Sequence, residues 1–463
     1  MKLFKNLRNR SMKRKQNSLT EGAIWKSLLF FAVPIMLTNL LQQLYNAVDS
    51  SIVGTFAGSM PLAAVGSSGT LINLLVGFFL GISTGTGVIF ARYYGAGDEK
   101  SLEKTMNTSI ILSIVCGTII TIVGMIWTRP LLIFMHCPEE VIDLSATYLR
   151  VYFLGIIGMM VYNVGAGIIR ARGDSKHPLY YLVFSGILNL ILDILFVAVL
   201  KMGVAGAALA TMISQYFSAA LVIYNLIKIP EGYRLKIGKI KFNKVTAMEI
   251  IKLSIPCGLQ SAMFNISNML VQIKINDFGS LAMAGCASYE KIDAFLYVPM
   301  MAYGLAISTF VGQNMGAGRY DRIKKGVNIC LISAVIITIF MSSGVILCGN
   351  YLIGAFTSSE EVKSMGLIMM YIISPFAFTH CFTEVLAGAV RGAGKAFQAM
   401  IITAGGICVF RIIWLILLLK IKFDIRLVYW CYPASWIFCS ACFIIYYIKS
   451  DWLKVRKLNV DHR

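Results

Sequence analysis

The stretch LYNAVDSSIVGTF, from Leu44 to Phe56, places Asp49 in an apolar segment that runs from Ser27 to about Gly54 and holds no other charge. A charge at a bilayer centre costs roughly 2.5 to 3.5 kcal/mol on insertion scales, so a carboxyl group there needs a reason. Asp193 raises the same question in NLILD, and Asn189, four residues earlier, shares its helix face. At about 1.5 Å per residue, Asp49 lies ~8 Å before Gly54 and Asp193 ~12 Å before Lys201, which puts both acids in the outer half of the first part of the chain. Burial and a neighbouring carboxylate both favour the protonated form of a carboxyl group, so such a pair suits reversible proton binding. Asn189 and Asn163 would orient the acids through hydrogen bonds or complete a Na⁺ site with Asp49 and Asp193. The residues alone leave both readings open, and also a plain interfacial role in which Asp49 reaches the outer headgroups.

The second half carries its own charges. Glu290 and Arg411 fall at matching depth in their spans, ~12 to 14 Å from the outer ends, and are expected to pair, because two uncompensated charges there would each be costly. Glu384, seven residues before Arg391, is a further ion-coupling candidate, and His380 is either a relay or a satisfied polar residue. Other chemistry finds little support. His136, His177, His380 and His462 are dispersed, which argues against an enzyme. The eleven cysteines are scattered through apolar runs, so neither a disulfide framework nor a resident metal is expected. STGTG at Ser83 to Gly87 lies in a span and has neither the full GxGxxG nor a Walker lysine, so it reads as close helix packing, and no cofactor or ATP site is expected.

Hydrophobic residues make up 57% of the 463, charged residues 14%, and the mean hydropathy is +0.74, which excludes an ordinary soluble domain and points to a polytopic membrane protein. A window of about 20 residues finds twelve spans, centred near residues 38, 77, 115, 155, 187, 215, 263, 297, 335, 374, 408 and 437. The side holding both termini collects 32 of the 42 Lys and Arg residues, so by the positive-inside rule both termini are expected in the cytoplasm. The net charge of +20 is then mostly topology, with anionic-lipid contact as an addition and no nucleic acid required. The boundaries follow: a basic segment 1–25, a first lobe 26–227, a polar linker 228–245, a second lobe 246–449 and a tail 450–463. Pro34 and Pro256 sit near corresponding places, where proline can bend a helix.

The halves repeat. YYGAGDEKSLEKTMN from Tyr93 parallels NMGAGRYDRIKKGVN from Asn314, and GIIRARGD from Gly167 parallels GAVRGAGK from Gly388. Gly95 and Gly316, Asn107 and Asn328, Asn163 and Glu384, and Arg170 and Arg391 are all 221 apart. With six spans per half, the copies enter the membrane the same way round, as parallel repeats related by an axis along its normal.

AVDSSIVGTFAG, GAGD, RARGD, NLILD, STFVGQNMGAG and VRGAGK stand in register across these spans. In them the chain resembles the multidrug and toxic compound extrusion (MATE) family, in its prokaryotic DinF-like branch. The resemblance implies an all-α integral membrane exporter, twelve transmembrane helices in two parallel-repeat six-helix lobes. It would exchange drug-like, often cationic, organic compounds for inward-moving H⁺ or Na⁺, from the plasma membrane and as a monomer. Relatives place proton- or cation-linked chemistry at the aspartates that match Asp49 and Asp193. Some Na⁺-coupled relatives carry a glutamate in the seventh span, where CGLQSAMFNIS offers only Gln260 and Asn265. A lipid-linked-precursor flippase, the alternative in the same superfamily, would call for a cationic cavity, which the acids argue against.

Overall fold

The computed structural model describes residues 19–135, 137–229 and 232–453. The basic segment up to residue 18, His136 and the last ten residues, with His462, lie outside the described residues. Among the described residues, twelve long helices follow one another: α1 Ile24–Ala57, α2 Ser59–Ala96, α3 Glu99–Phe134, α4 Glu139–Ala171, α5 Lys176–Val199, α6 Gly203–Ile227, α7 Lys244–Asn276, α8 Ser280–Gly316, α9 Tyr320–Gly354, α10 Glu360–Gly392, α11 Ala396–Ile421 and α12 Ile425–Lys449. Eleven of these described helices are long and apolar enough to cross a membrane by composition alone. The exception, α7, is as long as the others but carries Lys252, Gln260, Asn265, Asn268 and Gln272.

The turns between helices keep the repeat. Gly58 and Gly279, Gly97 and Gly318, and Gly173 and Gly394 all have positive φ, and each pair keeps the offset seen between the two halves of the sequence. Left-handed glycine after a helix closes its last carbonyls without a Cβ clash. Accordingly, the Gly173 N–H donates to Arg170 O at 2.7 Å and the Gly394 N–H to Arg391 O at 2.8 Å. Asp98 then starts α3: its Oδ1 accepts from the Ser101 N–H at 3.0 Å and its Oδ2 from the Ser101 hydroxyl at 2.6 Å. Partial burial pushes this carboxyl up, but the bonds from Ser101 and Lys100 outweigh it and hold it below the ordinary aspartate range. Its stabilisation is therefore present above the unfolded pKa and lost as pH falls through the folded one. Asp98→Ala should cost about 1 kcal/mol of stability at neutral pH, read as a lower melting temperature whose deficit narrows below about pH 4.

The described chain packs into two compact units, Leu37–Ile255 and Leu19–Met36 with 256–453. The division cuts α1 beside Pro34 and α7 at Pro256, so the first turns of α7 belong with the N-lobe and those of α1 with the C-lobe. In the N-lobe, Tyr93 donates to Glu249 at 3.1 Å and Ser254 Oγ to Ile82 O at 3.2 Å. In the C-lobe, the Leu19 N–H donates to Gln313 at 2.8 Å and Arg322 donates to the carbonyls of Glu21 and Gly22 at 2.8 and 2.9 Å.

Each unit contains a helix crossing tight enough to exclude side chains. In the N-lobe, α4 packs on α2, where Ser83 Oγ donates to Asn163 O at 2.6 Å and a Cβ on Gly167 would stand 2.7 Å from that same hydroxyl oxygen. In the C-lobe, α10 packs on α8, where a Cβ on Gly388 would overlap the carbonyl oxygen of Gly304. Ser83 and Gly304, like Gly167 and Gly388, are 221 apart, so the repeat extends to the helix contacts.

Candidate functional site

Asp49 and Asp193, far apart in sequence, meet in the N-lobe core. Both are buried, at 7% and 1% exposure, and their carboxyl groups lie within hydrogen-bond reach of each other. The local backbone helps to bring them there. Asp193 ends the regular part of α5 and is followed at once by a π-helical turn, Ile194–Val199, while another, Val53–Ala57, begins four residues after Asp49. A π turn widens the helix and re-aims the side chains next to it.

Asn189 completes the arrangement. With its amide turned to satisfy both ends, its nitrogen donates to Asp193 Oδ2 at 2.7 Å, and its oxygen accepts from the Tyr45 hydroxyl at 3.0 Å and the Thr211 N–H at 3.2 Å. Tyr45 precedes Asp49 by one helical turn, and Tyr148 and Tyr152 of α4 lie within electrostatic reach of Asp49. Among the described residues, each acid keeps one oxygen, Oδ1, without a hydrogen-bond partner, and neither has a cationic side chain within ion-pair distance. Two carboxyl groups so arranged are stabilised by one shared proton or by a small cation.

Asn163 is placed elsewhere. Its Nδ2 donates to Met159 O of its own helix at 2.9 Å, and eleven residues, ~16 Å along α4, separate it from Tyr152. It does not hydrogen-bond to either acid, because its amide is taken up by the preceding turn of its own helix. The residues that do surround the pair, Tyr45, Thr211, Tyr148 and Tyr152, escape sequence reasoning. Only the spacing of Tyr45 and Asp49, i and i+4 on one face, points to any of them.

The C-lobe candidates sort differently. Glu290 and Arg411 do not pair. Arg411 is buried among neutral groups: its Nε donates to Ser435 Oγ at 3.0 Å, its Nη1 to Asn268 Oδ1 at 2.6 Å, and its guanidinium lies 4.5 Å from the Tyr432 ring centroid. Glu290 is an exposed residue whose Oε1 is met by Cys286 Sγ at 3.6 Å. Equal depth therefore did not mean contact, because Asn268 of α7 and Ser435 and Tyr432 of α12 take up the arginine. Arg411→Met should lower stability by about 2 kcal/mol or more, since it leaves Asn268 without its donor, whereas Glu290→Gln should leave the melting temperature nearly unchanged. Equal losses in the two variants would restore the ion pair.

Glu384 stands between His380, 3.7 Å away, and Arg391, 3.9 Å away, and Arg391 Nη1 donates to Gln260 Oε1 at 3.1 Å. Gln260 in turn donates to Thr403 at 2.9 Å. The polarity of α7 thus has a structural use, since its amides serve the arginines of α10 and α11. His380 packs among Tyr297, Trp436 and Phe264, with ring centroids 5.1, 5.3 and 6.3 Å away. Asp293, absent from the sequence candidates, accepts from the Tyr289 hydroxyl at 3.2 Å, one turn beyond Glu290 on α8. Among the described residues no group of three or more His, Cys, Asp or Glu side chains has the arrangement of a metal site.

The MatE family model matches this chain twice, over residues 34–195 and 256–417. The starts of the two matches, at Pro34 and Pro256, agree with the offset of the internal repeat to within a single position. The chain is 30% identical over 391 residues to the probable multidrug resistance protein YpnP of Bacillus subtilis, covering 84% of this chain and 87% of that one. It is 23% identical to the multidrug export protein MepA of Staphylococcus aureus, covering 94% and 96%. Among solved structures, an outward-facing multidrug resistance MATE transporter of the MOP superfamily superposes with a TM-score of 0.86 at 22% identity, covering 92% of this chain and 96% of that one. A MOP superfamily transporter from Pyrococcus furiosus, described as having a binding pocket of reversed polarity, gives 0.87 at the same identity and coverage. At that identity the two structures speak for the fold.

Proposed function

This chain belongs to the MatE family, and from that premise we propose that it is a secondary active exporter. In this reading it exchanges drug-like organic compounds, often cationic, for H⁺ or Na⁺ from the plasma membrane, with both termini in the cytoplasm. The observation that carries the proposal is the Asp49–Asp193 pair, two buried carboxyl groups in contact and anchored by Asn189 and Tyr45. When the pair gives up its proton or ion, it presents negative charge that holds a cationic compound. When it takes the ion back, that counter-charge disappears and the compound is released. Mutual exclusion of this kind is what antiport requires, and a conformational change that exposes the pair to one side at a time makes it directional.

The multidrug names of the relatives support the substrate class. The coupling ion follows from a direct experiment. Purified protein in liposomes, given an imposed pH gradient or an imposed Na⁺ gradient, should dissipate one of them when an organic cation such as ethidium is added. If neither gradient responds to any such cation while the protein is folded and inserted, the exporter reading fails.

A further inference from the structure

We propose that residues 232–245, the end of the connector between α6 and α7 with the first two residues of α7, form a preformed binding surface for anionic phospholipid headgroups. Arg234, Lys236, Lys239, Lys241 and Lys244 fall within it, and no acidic residue occurs between residues 232 and 248. Lys236 lies 3.8 Å from Glu103, whereas Lys239, Lys241 and Lys244 are exposed and have no ion-pair partner among the described residues. Positive charge at one membrane face is ordinary topology. Three further features of this connector are not.

First, it is fixed. Tyr233 is fully buried and receives a hydrogen bond from Arg172 Nε at 3.1 Å, Leu235 is buried and its N–H donates to Leu226 O at 3.1 Å, and the Asn243 N–H donates to Thr108 at 3.3 Å. Second, apolar side chains are interleaved with the lysines and point outward: Ile237 is 67% and Phe242 48% exposed. Third, Asn243 Oδ1 caps α7 by accepting from the Thr246 N–H at 2.9 Å, and the exposed apolar side chains of that helix begin at once with Val245 and Met248. The lysines therefore sit beside the start of α7, whose exposed apolar side chains would face the bilayer, although the helix as a whole is less apolar than the other eleven long helices. In that position Phe242 and Ile237 reach the headgroup–acyl boundary and the ammonium groups meet phosphate. The occupant that fits interleaved lysine and exposed apolar residues at this depth is an anionic lipid surface; a soluble anion would leave Ile237 and Phe242 in water.

The test uses the purified full chain in detergent, titrated with short-chain phosphatidylglycerol or phosphatidylcholine while the melting temperature is followed. Phosphatidylglycerol should raise the melting temperature at much lower concentration than phosphatidylcholine, and about 0.5 M salt should erase the difference. Each lysine near an anionic surface contributes about fivefold, so K239Q/K241Q/K244Q should need about a hundredfold more phosphatidylglycerol for the same rise, while K239R/K241R/K244R should respond as the unaltered protein does. Equal responses to the two lipids in the unaltered protein, or an unchanged phosphatidylglycerol response in the glutamine variant, would overturn the proposal. Should the glutamine variant fail to fold, K239Q/K241Q decides in its place, with about a twenty-five-fold shift expected and an unchanged phosphatidylglycerol response overturning the proposal. The readout is lipid binding, so its failure is distinct from a failure of the exporter reading.

Discussion

Replacing Asp193 by asparagine should leave a folded, membrane-inserted protein whose cation-driven ion flux in liposomes falls to the level of protein-free vesicles. Asp193 is buried at 1% exposure, its Oδ2 is met by Asn189 at 2.7 Å, and its Oδ1 has no hydrogen-bond partner among the described residues. An asparagine fills the same volume and can still accept from Asn189, so no cavity or unpaired charge is created. What it cannot do is gain or lose charge. Asp49→Asn should give the same loss for the same reason, because in the proposed exchange the two groups bind the ion together. Tyr45→Phe, which removes only the hydroxyl at 3.0 Å from the Asn189 oxygen, should weaken coupling without abolishing it. Full ion-coupled efflux in both asparagine variants would reduce the pair to a structural role.

Gly388→Ala should be among the most destabilising single-methyl changes in the chain. The new Cβ would overlap the Gly304 carbonyl oxygen and stand 2.8 Å from Ile307 Cγ2, and a backbone atom of α8 cannot rotate away. The helices must separate at the crossing that holds Glu384 against Gly304, an overpacking cost of about 1 to 3 kcal/mol or more. The equivalent N-lobe change, Gly167→Ala, should cost less, since the nearest atom, Ser83 Oγ at 2.7 Å, belongs to a side chain with other rotamers, although the Ser83 carbonyl at 3.0 Å remains. Gly344→Ala is the control: among the described residues nothing lies within 4 Å of its Cβ, and an alanine inside a helix there should stabilise by about 0.5 to 1 kcal/mol. Melting temperatures and extracted yields in the order Gly344→Ala, unaltered, Gly167→Ala, Gly388→Ala are expected. Gly388→Ala melting with the unaltered protein would show that the crossing is looser than its geometry implies.

The sequence by itself determined the order of the twelve helices, roughly where each is centred and how far along its own helix each charge lies. Apolar runs long enough to span, left-handed glycines at Gly97, Gly173, Gly318 and Gly394, and caps such as Asp98 are local features, and local energetics decides them. Depth is local too, because each residue advances a helix by about the same rise whatever surrounds it. That is why Asp49, Asn189 and Asp193 could be singled out, and why the repeat between the halves was legible. Tertiary structure decided which helix face meets which neighbour. Equal depth suggested Glu290 for Arg411, yet Asn268, Ser435 and Tyr432 hold the guanidinium. Asn163 was expected beside the acids, yet its amide bonds its own helix. Tyr45 gained its partner only from the amide that packing set beside it. Rotation of a helix about its axis relative to its neighbours is fixed by side chains far apart in the chain interlocking across a crossing, as at Gly304 and Gly388, and no single segment carries that information.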